Sequence, residues 1–374
     1  MSPLPRTISD LTIPEPGSTT AREVLSQALR KLLHDAIELT RTAPASAHRE
    51  AAALKGTLEH ALKTSPGALA AALRRPTIGT LVRCLRPSCG LSDEVRDALY
   101  VELCEGLRRD LTLAGVHLPP APNLRRPARV VSLLDRTVTD AATGAVTHPF
   151  HAIEGDLWLA CADNNPLAME EAHPDKEGNA LDLGGRPADA WTSTIRESLA
   201  LVDAHLPDLA GEIRLFVQQI VPVGYHEERH LSASYQEAIG TIYMTLHPSL
   251  MTMTEALIHE FSHNKINALF ELDELLENAW TPLYTSPVRP DPRPLHGVLL
   301  AVHAFLPVAR LYEKMIAAGH PLAQREDFVT RYHRIRKTNR EGADTVLLNG
   351  RPTAIGRGVL DEIARWDRYY AKLD

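Results

Sequence analysis

The chain has 374 residues, of which 44% are hydrophobic and 23% charged, and it carries a formal net charge of −7. These values exclude a disordered chain and a small binding module, and an acidic chain without a basic tract is not expected to bind nucleic acid. The sequence has neither a targeting segment nor an apolar run long enough to span a bilayer, so we expect a cytoplasmic protein with no membrane partner.

The first 115 residues are predicted to be helical. Apolar residues recur every three or four positions in AREVLSQALRKLLHDAIEL and in LSDEVRDALYVELCEGLRRDL, where Ser92 is placed to cap the second helix. The Pro-rich stretch HLPPAPNLRRPAR then interrupts the pattern. We therefore predict two domains, a helical region at 1–128 and a second domain at 129–374.

Short strand-like runs follow the Pro-rich stretch, at 130–135, 156–163, 216–225 and 240–246. A helix is predicted from about Ala190 to Gly211, and the segment after residue 250 is helical in pattern almost to its end. The expected fold class is α+β, mainly helical with a small central sheet. As in zincins, the last predicted strand is followed by a helix that carries metal-binding residues.

The stretch His259-Glu260-Phe261-Ser262-His263 is an HExxH motif. Because the surrounding residues have helical periodicity, His259 and His263 should project from the same helix face, one turn apart, where two imidazoles can bind one ion. Glu260 occupies the position of the general base in zinc peptidases. Two histidines on a solvated helix face would give the same letters, but a metal site is the better interpretation.

A third metal ligand must come from elsewhere, because catalytic zinc sites use three protein ligands and non-haem iron sites use a facial triad. His303 is the preferred candidate and His296 the alternate. They lie seven residues apart in the predicted helix LHGVLLAVHAFLPVARLY. Asp273 and Asp291 are further candidates.

Four segments together resemble the HExxH family of peptide-modifying enzymes: LACADNNPLAMEEAHPDKEGNALDLGG, HLSASYQEAIGTIYMTLHP, EALIHEFSHNKINAL and RPDPRPLHGVLLAVHAF. The resemblance covers about residues 130–370. That family occurs as stand-alone proteins and as domains fused to radical SAM enzymes, in pathways to ribosomally made, post-translationally modified peptides. The resemblance therefore implies a precursor peptide as substrate and a radical SAM enzyme of the same pathway as partner. It also implies that 129–374 is the catalytic domain, with 1–128 serving as a platform or as a contact for the leader peptide.

The family is similar to iron(II)/2-oxoglutarate-dependent oxygenases that hydroxylate a β-carbon of a peptide residue. The resemblance thus implies Fe(II) and 2-oxoglutarate as cofactors, with His259 and His263 as iron ligands. Glu260 would then orient a ligand or water rather than act as a base. The distal carboxylate of 2-oxoglutarate needs a cation, for which arginine is best suited. Arg289 and Arg293, in the Pro-stiffened turn TSPVRPDPRP, are the candidates, and Lys265 is a rival.

Other polar residues in the family-like segments are second-tier candidates for binding or supporting the substrate: Asn165, His173, Asp175, Ser234 and Tyr235. Two further functions remain open from the residues alone. One is a zinc metallopeptidase that uses Glu260 as its general base. The other is a non-catalytic scaffold that binds a precursor peptide for a partner enzyme.

Overall fold

The computed structural model describes residues 10–170, 172–173, 176–286 and 291–373, with the backbone alone at 172–173 and 176–177. The fold is α+β and mainly helical with small sheets, as the sequence predicts. The chain divides into two compact units. The first unit comprises residues 1–26, 194–216 and 249–374, and the second comprises residues 27–193 and 217–248.

Helices and strands are numbered in chain order. The α-helices are α1 (Thr20–Leu39), α2 (His48–Thr64), α3 (Pro66–Arg74), α4 (Pro76–Cys84), α5 (Asp93–Leu113), α6 (Ala188–His205), α7 (Pro207–Phe216), α8 (Leu250–Phe270), α9 (Leu295–Ala317), α10 (Glu326–Asn349) and α11 (Ala354–Tyr370). The strands are β1 (Arg129–Ser132), β2 (Thr137–Asp140), β3 (Val146–Thr147), β4 (Phe150–Glu154), β5 (Leu157–Ala160), β6 (Ala172–His173), β7 (Lys176–Glu177), β8 (Gln219–Tyr225), β9 (Ser232–Ala233), β10 (Thr241–Leu246), β11 (Leu283–Tyr284) and β12 (Arg293–Pro294).

The main sheet belongs to the second unit and has the strand order β4-β5-β8-β10-β9. The three inner strands are parallel, and the two edge strands pair antiparallel to them. Every residue of β10 is buried, and β8 is buried over most of its length. These continuous apolar runs are what a parallel strand covered on both faces requires.

The predicted boundary at residue 128 does not separate two compact units. Helix α5, capped at Ser92 as predicted, lies before the Pro-rich stretch but packs on the ribbon of β1 and β2 after it. The buried carboxylate of Asp110 accepts a hydrogen bond from Ser132 Oγ at 2.8 Å. Arg109 pairs with Asp135 at 2.7 Å. These contacts join both sides of the stretch into the second unit.

The first unit is built mainly from α8, α9, α10 and α11. Helix α8 is capped by Ser249, whose Oγ accepts a hydrogen bond from Thr252 N at 3.3 Å. Its side chains are buried almost all round, so the helix lies in the core of the unit. Helix α9 is long and apolar enough to cross a membrane by length and composition, but 67% of its most apolar 18-residue stretch is buried within the structure, as in a core helix.

The four predicted strands are present as β1, β5, β8 and β10. The helix predicted from Ala190 to Gly211 is instead two helices, α6 and α7, because Pro207 lacks the backbone N–H that a continuous helix would use there. Pro207 is the first residue of α7, where a missing N–H costs nothing.

Candidate metal centre

Helix α8 brings the three chemically important residues of the HExxH motif together. His259 and His263 lie one turn apart and are both partly exposed, whereas Glu260 is buried. The two Nε2 atoms are 2.9 Å apart. A carboxylate oxygen of Glu260 and one nitrogen from each imidazole all lie within 4.8 Å of one another. We call these three residues the donor group, and in the described part of the chain no other three His, Cys, Asp or Glu residues come together in this way.

Both imidazoles of the donor group are held in the neutral form that binds metals. Burial, together with the neighbouring charges of His263 and Arg331, lowers the pKa of His259 well below its usual range. Burial and the charge of His296 lower the pKa of His263 to about 4. At neutral pH no proton therefore has to leave either ring before an ion binds.

The distance between the two Nε2 atoms fits a shared ion. Nitrogen ligands bind zinc at about 2.0 to 2.1 Å, so two nitrogens on one ion must approach each other to about 3 Å, close to the observed separation. The Nδ1 atoms of both rings are buried and have no hydrogen-bond partner among the described residues. Metal-binding histidines usually donate from their second nitrogen to a carboxylate or carbonyl, and that support is not provided by the described residues.

Several neighbours of the donor group leave no recognisable pattern in the sequence. The ring of Phe305, on α9, packs edge-on against His259 with the ring centres 4.7 Å apart. Arg331, on α10, binds Glu255 with both its Nε and its Nη2, at 3.1 and 2.6 Å from Oε2. Tyr312 donates a hydrogen bond to the same carboxylate. Glu255 lies one turn before His259 on α8, but its partner Arg331 is 76 residues away in the sequence, and no local pattern reveals the pair.

His303, the preferred third ligand, is not part of the donor group. It is completely buried, and its Nε2 donates a hydrogen bond to the carbonyl of Leu11 at 3.1 Å. Burial and the charge of Lys265 lower its pKa to about 3, so the ring is neutral. The structure thus gives His303 a structural contact, and its role as third ligand stays a prediction.

His296, the alternate third ligand, is also outside the donor group. Its ring stacks on Trp280, with the ring centres 4.5 Å apart. The centre of the Phe270 ring lies 4.6 Å from that of His296. Burial lowers its pKa to about 4. Asp273, a further candidate, accepts hydrogen bonds from the backbone N–H groups of Leu275 and Ile355.

The candidate cations for a co-substrate have different environments. Arg289 lies outside the described residues. Arg293 is half-buried in β12 and pairs with Asp291, its Nε 2.9 Å from Oδ2. Lys265, the rival, is fully buried and already paired, with Nζ 2.7 Å from Glu212 Oε2 and 3.1 Å from the carbonyl of Asp10, and its role with the co-substrate stays a prediction.

The second-tier residues that can be described form hydrogen bonds within the second unit. Asn165 is buried, and its Nδ2 donates to the Tyr243 hydroxyl at 3.2 Å. The Tyr235 hydroxyl accepts a hydrogen bond from Asn179 at 2.7 Å. Ser234 Oγ donates to the carbonyl of Thr241 at 3.5 Å. Asp175 and the side chain of His173 lie outside the described residues.

Asp163 belongs to the same polar cluster, and the sequence reasoning did not single it out. Its carboxylate accepts a hydrogen bond from the Tyr243 hydroxyl at 2.8 Å, and burial raises its pKa. Glu237 accepts a bond from Asn165 Nδ2 at 3.3 Å, and burial raises its pKa as well. A web of this kind satisfies buried polar groups and fixes the loop after β5.

The chain matches no model of a known protein family, and a comparison with curated proteins finds no similar one.

Proposed function

We propose that this protein is an iron(II)/2-oxoglutarate-dependent oxygenase that hydroxylates a β-carbon of a residue in a ribosomally made precursor peptide. The observation that carries the proposal is the donor group, in which α8 brings two neutral imidazoles and one carboxylate within 4.8 Å of one another. Two histidines and one carboxylate are the donor set typical of non-haem iron oxygenases. The resemblance to the HExxH peptide-modifying enzymes supplies the substrate class and a radical SAM enzyme as pathway partner, and we place the protein in the cytoplasm.

In this proposal, His259 and His263 are the residues that would hold the iron. Bound iron(II), with 2-oxoglutarate and molecular oxygen, would supply the oxidative chemistry that converts a C–H bond into C–OH, while 2-oxoglutarate is oxidised to succinate and CO2. Phe305 packs against the His259 ring and limits its rotation. Glu260 either binds the ion or orients a ligand, since its carboxylate reaches the group from a buried position.

The co-substrate's distal carboxylate is assigned to Arg289 or Arg293. Arg293 is paired with Asp291, so an incoming carboxylate would have to replace Asp291 as its partner. A guanidinium can bind a carboxylate through two parallel hydrogen bonds, which gives this exchange a geometric basis.

A zinc metallopeptidase is the second candidate. The observation that favours it is the position of the Glu260 carboxylate close to both imidazoles. A carboxylate within 4.8 Å of both ligand nitrogens is close enough to take a proton from water bound between them. The third candidate, a scaffold without catalysis, requires only that a peptide binds.

The metal is tested first. The purified full chain, loaded anaerobically with Fe(II), should retain about one equivalent of iron. His259→Ala and His263→Ala should each lose it, because a single imidazole holds an ion weakly. His148→Ala, which removes an exposed histidine outside the donor group, is the matched control and should retain it. Wild-type protein that binds neither iron nor zinc would support the scaffold instead.

The reaction is tested next. The iron-loaded protein is given 2-oxoglutarate, ascorbate, oxygen and the precursor peptide encoded beside its gene. The expected result is one added oxygen atom in the peptide and one succinate for each hydroxylation, both measured by mass spectrometry. Cleaved peptide formed with zinc and without 2-oxoglutarate, and lost in Glu260→Gln, would establish the peptidase and overturn the oxygenase.

A further inference from the structure

A cavity of about 300 Å³ in the first unit has chemistry that the proposed oxygenase does not use. It lies between α9, α10 and α11. Val302, Leu306 and Ile363 give it an apolar wall. We call it the α10 cavity, because most of its polar residues come from that helix. Its volume is at the lower end for small-molecule sites and is too small for a folded partner or a long peptide.

Two buried polar groups that line the α10 cavity have no hydrogen-bond partner in the part of the chain that the structure describes. Asn339 is 7% exposed, and its Nδ2 has no hydrogen-bond partner among the described residues. Tyr370 is 8% exposed, and the same holds for its hydroxyl. Buried polar groups almost always have a hydrogen-bond partner, whether protein, ordered water or a bound molecule, so two such groups on one cavity indicate that the cavity has an occupant.

The two groups share one property, which is that both can donate a hydrogen bond. The Asn339 amide nitrogen is a donor only. Burial and the nearby charge of Glu313 raise the pKa of Tyr370 well above its usual range, so its hydroxyl keeps its proton. The matching ligand atom is therefore an acceptor.

The charges around the α10 cavity indicate what kind of acceptor it is. Arg336, Lys337 and Arg340 line the cavity, and Asp367 is the carboxylate among its lining residues. Arg336 is buried, donates from Nη2 to the carbonyl of Tyr370 at 2.8 Å, and lies over the Tyr332 ring at 5.4 Å, which fixes its position. A surplus of cations beside two neutral donors matches an oxyanion.

We propose that the α10 cavity binds a small organic molecule through an oxyanion, either a carboxylate or a phosphate. The oxyanion accepts hydrogen bonds from Asn339 and Tyr370 and lies beside Arg336 and Lys337. The apolar part of the molecule packs on Val302, Leu306 and Ile363. This site is distinct from the donor group, because none of its lining residues belongs to that group.

The test measures binding to the full chain by isothermal titration calorimetry with three probes of similar size: benzoate, phenyl phosphate and benzyl alcohol. The first two carry an oxyanion, and the third is the neutral control. Wild type should bind at least one of the two oxyanions, and which one it binds identifies the group. Binding of benzyl alcohol as tight as that of both oxyanions, or no binding of either oxyanion at millimolar concentration, would overturn the proposal.

Two variants connect the binding to the cavity. Lys337→Glu reverses an exposed charge on the cavity lining and should weaken oxyanion binding on the order of ten-fold. Arg334→Glu makes the same kind of change on the same exposed side of α10, but Arg334 does not line the cavity, so its affinity should be unchanged. Equal weakening in both variants would show general charge attraction and contradict the proposed site.

Tyr370→Phe supplies a readout that a merely structural role would not give. The tyrosine hydroxyl has no hydrogen-bond partner among the described residues, so its removal should leave the thermal unfolding midpoint of the unliganded protein unchanged or higher. Oxyanion affinity should nevertheless fall several-fold. Unchanged affinity would exclude the hydroxyl from the site and overturn the proposed binding mode.

Discussion

At the scale of single residues, two buried polar side chains hold the backbone of the segment from Asp10 to Leu11. His303 donates to the carbonyl of Leu11, and Lys265 donates to the carbonyl of Asp10. Glu362 continues the pattern, accepting hydrogen bonds from the backbone N–H groups of Thr12 and Ile13 at 2.9 and 3.0 Å. Buried carbonyl and N–H groups need such partners. These contacts explain why charged and titratable residues lie inside the first unit.

His303 gives a residue-scale prediction that separates its two roles. In His303→Leu the carbonyl of Leu11 loses its donor, so the free energy of unfolding should fall by about 1 to 3 kcal/mol. His303→Gln, whose amide can reach a similar donor position, should lose less. A purely structural role of His303 would leave both variants with the iron content of wild type, measured by metal analysis on folded protein. An iron content in His303→Gln as low as in His263→Ala would establish His303 as the third ligand.

The core of the candidate site was predictable at this scale, but its surroundings were not. Helical periodicity places His259 and His263 one turn apart on the same face, and the structure has them there. The partner of His303 is 292 residues away in the sequence, and the pairing of Arg331 with Glu255 also depends on how helices pack. Local patterns in one sequence do not indicate contacts between residues that are so far apart in the chain.

At the scale of elements, α7 and α8 are joined by a buried ion pair. Lys265 on α8 is fully buried, and Glu212 on α7 has a side chain that is 8% exposed. The distance of 2.7 Å between Nζ and Oε2 makes a charge-assisted hydrogen bond. Burial raises the pKa of Glu212, although the charge of Lys265 opposes that shift. The pair therefore contributes more to the position of α7 on α8 than to the net free energy of unfolding, because the cost of burying both charges offsets their attraction.

The prediction for this pair uses one single and one double variant. Lys265→Met should lower the free energy of unfolding by about 3 to 5 kcal/mol, because it leaves the Glu212 carboxylate buried without its partner. Lys265→Met combined with Glu212→Leu should recover part of that loss, but the carbonyl of Asp10 stays without its donor. Urea unfolding followed by circular dichroism measures both. A double variant no more stable than the single one would contradict this account of the pair.

Elements with strong local signals were predicted well. The cap at Ser92 and the helices that carry the apolar period are where the pattern puts them. The strands β2, β3 and β4 were missed, because they are short and carry several exposed residues, so they give little hydrophobic alternation. Pro207 could have divided the helix predicted from Ala190 to Gly211, since proline inside a helical pattern ends or kinks it.

At the scale of the whole molecule, composition and periodicity predicted the mainly helical α+β class, whereas the division into units could not be predicted. Each unit is assembled from separate segments of the chain. Two of the divisions fall inside the helices α1 and α6, between Ser26 and Gln27 and between Ser193 and Thr194. A helix that continues through such a point shows no proline, glycine or change of composition there. The Pro-rich stretch before residue 128 was more conspicuous, but it lies within one unit.

Acid should destabilise the whole molecule, because histidines in both units are held neutral. In the second unit, burial and the charges of His247 and His226 lower the pKa of His230 to about 4. In the unfolded chain the same ring titrates near 6.5. Between these two values the unfolded state binds the proton and the folded state does not, so stability is fully present above about pH 6.5 and is lost as the pH falls toward 4. His296 and His303 act with the same sign in the first unit.

His230→Asn isolates one of these contributions. The Nδ1 of His230 lies 3.2 Å from Thr245 Oγ1, and the asparagine amide can keep a bond there without titrating. Between pH 7 and pH 4.5, wild type should therefore lose about 2 kcal/mol more of its free energy of unfolding than the variant does, as measured by urea unfolding. His148→Asn, at an exposed position, controls for the loss of a histidine as such. Parallel pH profiles for wild type and His230→Asn would show that His230 is not held neutral by the fold.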